Sequence, residues 1–481
     1  MQIHKRLIGS HLRSAAALGL TLALSACKTF SPDGGMDAVA TLASQELNKE
    51  IIAIRSDDDA VAARAAVERL LKRPLTADAA VQIALLNNRG LQAAYNELGI
   101  AEANMIEASL PPNPSFSVER LSNFAEIEIE RRIIANILAL ATLPVRAGIA
   151  ADRFRQAQLR AAEETLRVAA ETRRAYYRSV AHRELIGFLT QTHSAAEAAT
   201  QLALRLGESG AINKLDQVRE QVFYADLTAQ LASTRQRSAS DRERLVRSMG
   251  LWGGDLDFRL PNALPALPRP RALPFIEVEA IRRRVDLQVA RIEIDALAKS
   301  LGLTQATRFI NLLDVVGIGK SVRERETGVR TRSRGFEIEF QIPIFDFGEV
   351  RVRQAEHIYM EAVNRLAEKA VNVRSEARDA YRIYRSTYDI AMHYRRDVLP
   401  LHKIKADETL LRYNAMQIDV FALLEDARRR IAATSLGIEA QRDFWLATTD
   451  LSVAVTGGGV GGPAGAGPRF IAGAEAGAVG H

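Results

Sequence analysis

The stretch GFEIEFQIPIFD, residues 335–346, decides what kind of molecule this chain makes. Phe336, Ile338, Phe340, Ile342 and Ile344 fall on one side of an extended backbone, and Glu337, Glu339 and Gln341 fall on the other. That period of two is the mark of a strand with one apolar face. An echo, AEIEIERRI, occupies residues 125–133, and each of the pair is preceded by another candidate strand, over residues 115–121 and 309–322. A strand that crosses a membrane needs about 9–11 residues, close to these lengths.

What flanks the strands is helical. The chain of 481 residues is rich in Ala, Leu, Arg and Glu and has only 6% aromatics, a mix that favours long helices. One proline-free helical stretch is predicted from about residue 145 to 206, a rod of roughly 90 Å at 1.5 Å per residue. Its equal runs from about 349 to 413, with a kink expected at Pro400. Periodic helices of this length argue for coiled-coil packing rather than a globular domain. The strands thus sit at the ends of long rods, with no soluble core to cover their apolar face. Lipid could cover it, with Glu337, Glu339 and Gln341 facing a wet lumen. Four strands cannot close a barrel, and an open sheet edge in lipid leaves unpaired backbone groups. Several protomers must then share one barrel.

The organisation is a duplication. GLQAAYNELGIAEANMIEASLPPNPSFSVE begins at Gly90 and DLQVARIEIDALAKSLGLTQATRFINLLDVVG at Asp286; Leu91 aligns with Leu287 at an offset of 196. Each half reads helix, two strands, long helix, tight turn, helix. The first helix starts at the N-cap Thr76, with Asp78 in its first turn, and ends before Pro111. The turns are SGAIN, residues 209–213, and YNAMQ, residues 413–417. The repeats cover 75–250 and 275–456. Between them, 251–274 carries five prolines and is an extended connection. Residues 27–74 form an N-terminal arm, helical from about 36 to 72, and 457–481 form a Gly/Ala-rich tail with no periodicity, expected to be disordered.

Residues 1–26 begin with Lys5, Arg6 and Arg13 and continue with the apolar run AAALGLTLALSA, too short to span a bilayer and ordered like an export signal. The run ends Leu24-Ser25-Ala26-Cys27, which resembles a lipobox, and Cys27 is the sole cysteine. The resemblance implies cleavage before Cys27 and several acyl chains on it, since one chain anchors only marginally. Losing that acid-free segment lowers the net charge of +6 by three. No basic block is interleaved with aromatics, so nothing points to nucleic acid.

LTADAAVQIALLNNRGLQAAYNELGIAEANMIEASLPPNPSFS and FEIEFQIPIFDFGEVRVRQAE, together with the turns SGAINKLD and YNAMQIDVFALLEDAR, resemble the TolC-like outer-membrane efflux proteins over roughly residues 75–455. The resemblance implies a mainly α chain with a small β-barrel contribution. Long antiparallel helical hairpins would form an α-barrel tunnel, and four strands from each of three protomers one twelve-stranded barrel. It implies a homotrimer in outer-membrane lipid that extends into the periplasm and works with a periplasmic adaptor and an inner-membrane pump. The turns around Gly210, Ala211, Ile212 and Asn414, Ala415, Met416 would be the adaptor-docking tips. Asp216, Arg412, Tyr413 and Asp419 are candidates to line or latch the aperture. Asn414 stands where the family has glycine, and Asn tolerates a left-handed backbone. RFINLLDVVGIG before the charged loop 320–334 is similar to members linked to heavy-metal export.

No HExxH, Cys-x-x-Cys, GxSxG or complete P-loop occurs; Gly319-Lys320-Ser321 ends like a P-loop, but Asp314 stands where its first glycine belongs. His393 and His402, either side of Pro400 with Asp397, read as surface residues. No catalytic residue, metal site or cofactor beyond the lipid on Cys27 is expected. The competing readings are a periplasmic coiled-coil scaffolding lipoprotein and the adaptor itself, which has one helical hairpin where this chain has two.

Overall fold

A computed structural model describes residues 29–458. In order, α1 spans Met36–Leu47, α2 Asp57–Leu71, α3 Ala77–Asn87 and α4 Arg89–Ser109, followed by β1 at Ser115–Ser122 and β2 at Glu126–Asn136. The short α5 (Ile137–Ala141) leads into α6 (Leu143–Glu208) and α7 (Lys214–Met249). The second half runs α8 (Ile276–Arg283), α9 (Val285–Ala306), β3 (Leu313–Glu324), β4 (Arg330–Phe340), α10 (Glu349–His393), α11 (Leu399–Asn414) and α12 (Val420–Thr456). Helix, strand pair, long helix, turn and helix recur as the duplication predicts. None of the described helices is long and apolar enough to cross a membrane.

The chain divides into two compact units. One holds residues up to Thr41, Ala93–Ala161 and Leu287–Val371; the other holds Leu42–Gln92, Ala162–Asp286 and the residues from Asn372 onward.

The first unit contains the sheet, four antiparallel strands in the order β1-β2-β3-β4. The β1–β2 turn is tied by Asn123, whose Oδ1 accepts from the backbone of Ala125 and Glu126 at 2.9 and 2.7 Å. The start of the arm is fastened in this unit. Buried Glu102 accepts from the Ser31 amide at 2.7 Å, and Gly35, at φ +77°, lies so near Phe154 that an added Cβ would sit 2.5 Å from its ring. The turn Phe345-Asp346-Phe347-Gly348, between the last strand and α10, has its own reason. Gly348 has φ +73°, and a Cβ there would meet the Arg308 carbonyl oxygen at 2.2 Å; Arg308 in turn donates to the Phe347 carbonyl at 2.8 Å. Only glycine lets the chain turn this tightly into α10.

In the second unit Phe444 of α12 is fully buried against Tyr384 and Tyr388 of α10, both at ring separations of 5.6 Å, and Trp445 stacks on Tyr177 of α6 at 5.1 Å. The proline-rich connection is not extended throughout, since Gly253–Leu256 form a 3-10 turn; beyond it the chain is pinned, with Gln441 and Trp445 both donating to the Pro265 carbonyl and Tyr384 accepting from the Arg271 amide. Gly457 and Gly458 still belong to this packed region, both buried; the remainder of the tail lies outside the described residues.

Several sequence expectations change. The helix from Thr76 is capped as expected, but Asn88 breaks it into α3 and α4. The amides of Asn87 and Asn88 donate to the carbonyls of Gly250, at 2.7 Å, and Ser248, at 2.9 Å, at the end of α7, and Asn88 Oδ1 caps α4 at Leu91. The Asn-Asn pair therefore satisfies one helix end and starts another. The arm is two helices, not one. Residues 48–55 between them form neither helix nor strand and are hydrogen-bonded to Gln82 and Gln92 through Glu50, Ile52 and Ile54, before Ser56 and Asp59 open α2 with a capping box. Where Pro400 predicts a kink, the α-helical ladder gives way to a π-helical turn over Tyr394–Val398, since proline has no N–H to continue it.

Candidate functional site

Two parts of the chain carry the candidate function, the sheet and the helical tips.

In antiparallel strands, directly paired residues share a face. Phe340 pairs with Leu313, Ile338 with Val315 and Phe336 with Gly317; Gly317 pairs with Ile133, and Ile133 with Phe116. These residues make one apolar face. Glu337 and Glu339 lie on the opposite face, with their partners Val316 and Asp314. That second face also carries Glu119, Glu126, Glu128, Glu130 and Glu324, eight acids with Glu337, Glu339 and Asp314, against the two bases Arg132 and Lys320. Both bases are ion-paired, Arg132 to Glu130 and Lys320 to Glu128. Not one acid stands on the apolar face of the four strands.

The final strand is shifted from its expected place. β4 begins at Arg330 and ends at Phe340, so Gln341, Ile342 and Ile344 lie past its end. The Gln341 amide makes a last rung to the Leu312 carbonyl at 3.3 Å; Pro343 cannot donate, and the chain turns, with Phe347 N–H reaching the Pro343 carbonyl at 2.8 Å. The alternation of residues 336–344 continues past the ladder that gives it meaning.

At the first tip, Gly210 has φ +72°, and the Ala211 amide donates back to the Leu206 carbonyl at 2.8 Å. Asn213 caps α7, accepting from the Asp216 amide at 2.9 Å. At the second tip the residue with positive φ is Met416, at +56°, not Asn414, which is still helical. The Gln417 amide reaches the Arg412 carbonyl at 2.9 Å, and Asp419 caps α12 at the Ala422 amide, 2.8 Å away. The two tips are thus related by an offset of 206, and Met416, not Asn414, replaces Gly210.

The four aperture candidates are accounted for locally. Asp216 accepts from Arg219 at 3.0 Å and from the Asn213 side chain at 2.6 Å; Asp419 is a helix cap; Arg412 and Tyr413 supply carbonyls to the turn. Among the described residues no ion pair joins Arg412 to Asp419.

The sequence reading missed the buried charges behind the tips. Glu220 of α7, 2% exposed, accepts from Arg428 of α12 at 2.9 Å, and Arg428 lies 4.6 Å over the Phe223 ring. Burial pushes the Glu220 carboxyl above the usual carboxylate range, against the pull of Arg428, and its second oxygen has no hydrogen-bond partner among the described residues. Asp426, also buried, contacts Lys405 of α11 at 2.7 Å. Single charges in an Ala/Leu seam are the only sequence signal for them, and many solvated charges share it. His393 contacts Asp397 one turn away at 2.9 Å, and no cluster of three or more metal-ligating side chains exists among the described residues. Cys27 lies outside them.

The fold, long helices with one four-stranded antiparallel sheet, matches solved structures of outer-membrane channels. It matches CusC, whose crystal structures concern folding and transmembrane channel formation, with a TM-score of 0.66 at 15% identity over 79% of this chain and 92% of that one. It matches the CmeC outer membrane channel of Campylobacter jejuni with a TM-score of 0.66 at 15% identity, over 82% of this chain and 86% of CmeC. The recognition made from the sequence is borne out at the level of fold. In sequence, the chain is 24% identical over 295 residues to the cobalt-zinc-cadmium resistance protein CzcC of Cupriavidus metallidurans, covering 57% of this chain. The matched stretch spans 64% of CzcC, less than two-thirds of its length. No family model matches the chain.

Proposed function

We propose that this chain is the outer-membrane channel of a tripartite efflux system, a passive duct that is not an enzyme. One observation carries the reading: the sheet has an apolar face and an acid-rich face, and among the described residues no further strand lies beside its outer strands β1 and β4. In lipid such edges must be paired, each unpaired backbone group costing several kcal/mol. Copies of the chain supply the pairing, three of them closing one twelve-stranded barrel. Exposed Val350, Ile358 and Val371 on α10, and Leu401, Ile404 and Leu411 on α11, are consistent with burial against neighbouring protomers.

In this reading the chain is anchored by lipid on Cys27 and extends into the periplasm. The tips Gly210–Ile212 and Asn414–Met416 meet a periplasmic adaptor linked to an inner-membrane pump, and Asp216, Arg412, Tyr413 and Asp419 border the aperture. The acid-rich face lines the lumen, and rings of carboxylates favour cations. Together with the resemblance to CzcC, this points to metal cations as cargo. The test is conductance of the detergent-extracted protein in planar bilayers, with its mass measured in parallel. A cation-selective conductance from a particle of three chains is expected. A monomer that never conducts overturns the duct and favours the scaffolding lipoprotein.

A further inference from the structure

The apolar face of the sheet is not uniformly apolar. It carries six arginines: Arg120 on β1, Arg131 on β2, Arg323 on β3, and Arg330, Arg332 and Arg334 on β4. The register places them in three successive rows. Arg330 pairs with Arg323; Arg332 leads through Ser321 and Ile129 to Arg120; Arg334 leads through Gly319 to Arg131. These rows lie at the hairpin end of the sheet, away from the helices. The rows nearest the helices hold Phe116, Ile133, Phe336, Ile338 and Phe340.

All six arginines are exposed, and none has an ion-pair partner among the described residues. The contrast with the other face is sharp, since both of its bases are paired to carboxylates. The asymmetry has a physical meaning in a membrane. Cations on a lipid-facing strand are penalised most at the bilayer midplane and least at the interface. Arginine can lay its stem on apolar surface and lift its head to the interface. Rows two residues apart are about 7 Å apart along the strand, so the arginines occupy a band about 14 Å tall. A band that deep needs fixed anions beside it, not only water. That all six are arginine, with no lysine, suits bidentate pairing with phosphate.

We propose that the hairpin half of this face binds phosphate-bearing anionic lipid in the distal leaflet, through guanidinium–phosphate pairs. The inference rests on the channel reading, because it requires the sheet to lie in a membrane. The full chain is reconstituted in phosphatidylcholine nanodiscs containing either phosphorylated lipid A or its dephosphorylated form, and retained lipid is counted by native mass spectrometry. Wild type retains the phosphorylated form at least about tenfold over the other, since each arginine near an anionic surface contributes roughly a fivefold factor. The variant R330Q/R332Q/R334Q loses most of that preference. R330K/R332K/R334K, which keeps the charge and serves as the folding control, loses part of it. Equal retention of both lipids by wild type, or a glutamine variant as selective as wild type, overturns the inference. Conductance of the same samples separates the two claims: a conducting channel without phosphate preference overturns the lipid site alone, whereas a protein that neither inserts nor conducts overturns both.

Discussion

The two halves of the duplicated chain reach the same architecture by different local means. In the first half, α6 runs 66 residues without a break, and its tip turns on Gly210. In the second, a π-helical turn before Pro400 separates α10 from α11, and the tip turns on Met416, a side chain 93% exposed. Three backbone hydrogen bonds, from the amides of residues 209, 210 and 211 to the carbonyls of 205, 207 and 206, recur from 415, 416 and 417 to 411, 413 and 412 at an offset of 206, as do the side-chain caps Asn213 and Asp419. A duplicated fold therefore conserves its turn geometry and lets the residue type drift, provided the energetic cost is small. A left-handed non-glycine residue costs about 1–2 kcal/mol, so the second tip holds strain that the first does not.

The largest effect that separates the halves is expected where the second uses a glycine no other residue can replace. Gly348→Ala places a Cβ against the Arg308 carbonyl at a left-handed φ, and should lower unfolding free energy by about 4 kcal/mol. Gly148, near the start of α6 in the first half, has nothing within reach of an added Cβ. Gly148→Ala should be neutral or slightly stabilising, as alanine is the better helix former. Denaturant titration of the pair measures the difference, and similar losses at both positions would undo the assignment.

Next come the buried charges that join the halves. Arg428→Ala leaves Glu220 of the opposite repeat buried without its partner, an expected loss of about 3 kcal/mol. Replacing both, as E220Q/R428M, should recover much of it. A double-mutant cycle on thermal stability reads the coupling, and additive losses would mean the halves are not coupled here.

A smaller, pH-dependent effect is expected at His182. Its Nδ1 lies 2.9 Å from Asp241 in the first half, while Arg442 of the second half stands nearby. Burial holds the imidazole below its ordinary value of 6.5, opposed by Asp241 and reinforced by Arg442 and Arg237. The unfolded chain therefore binds the proton first, so stability should fall as pH drops from about 6.5 towards the lower folded value. H182Q should flatten that part of the stability curve; an unchanged slope would exclude His182 as its source.

The smallest effect compares the tips directly. Met416→Gly should stabilise the second tip by up to about 1 kcal/mol by relieving the left-handed strain, and Gly210→Ala should cost the first about the same. Hydrogen exchange at the Gln417 and Ala211 amides reports each turn locally, and equal responses in the same direction would contradict the geometry.

Much of this was open to reading in the residues alone. Periodicity of two in residues 336–340, the offset repeat at Leu91 and Leu287, the N-cap at Thr76 and the proline at 400 are local or nearest-neighbour signals. Backbone hydrogen bonding and side-chain alternation fix their outcome without distant partners. The end of β4 was not legible, because alternation persists through Ile342 and Ile344 while the neighbour strand's ladder stops. Nor was the break at Asn88, whose amide is spent on a helix end 160 residues away. The identity of the left-handed residue at the second tip required the hydrogen bonds that close the turn. Glu220, Arg428 and Asp426 resemble any solvated charge until packing removes the water around them. The two faces of the sheet, one holding every strand carboxylate and the other six exposed arginines, emerge only when register sets four strands side by side. Composition and period determine which segments are helix or strand; register, burial and long-range partners decide what each face can do, because those depend on residues hundreds of positions apart.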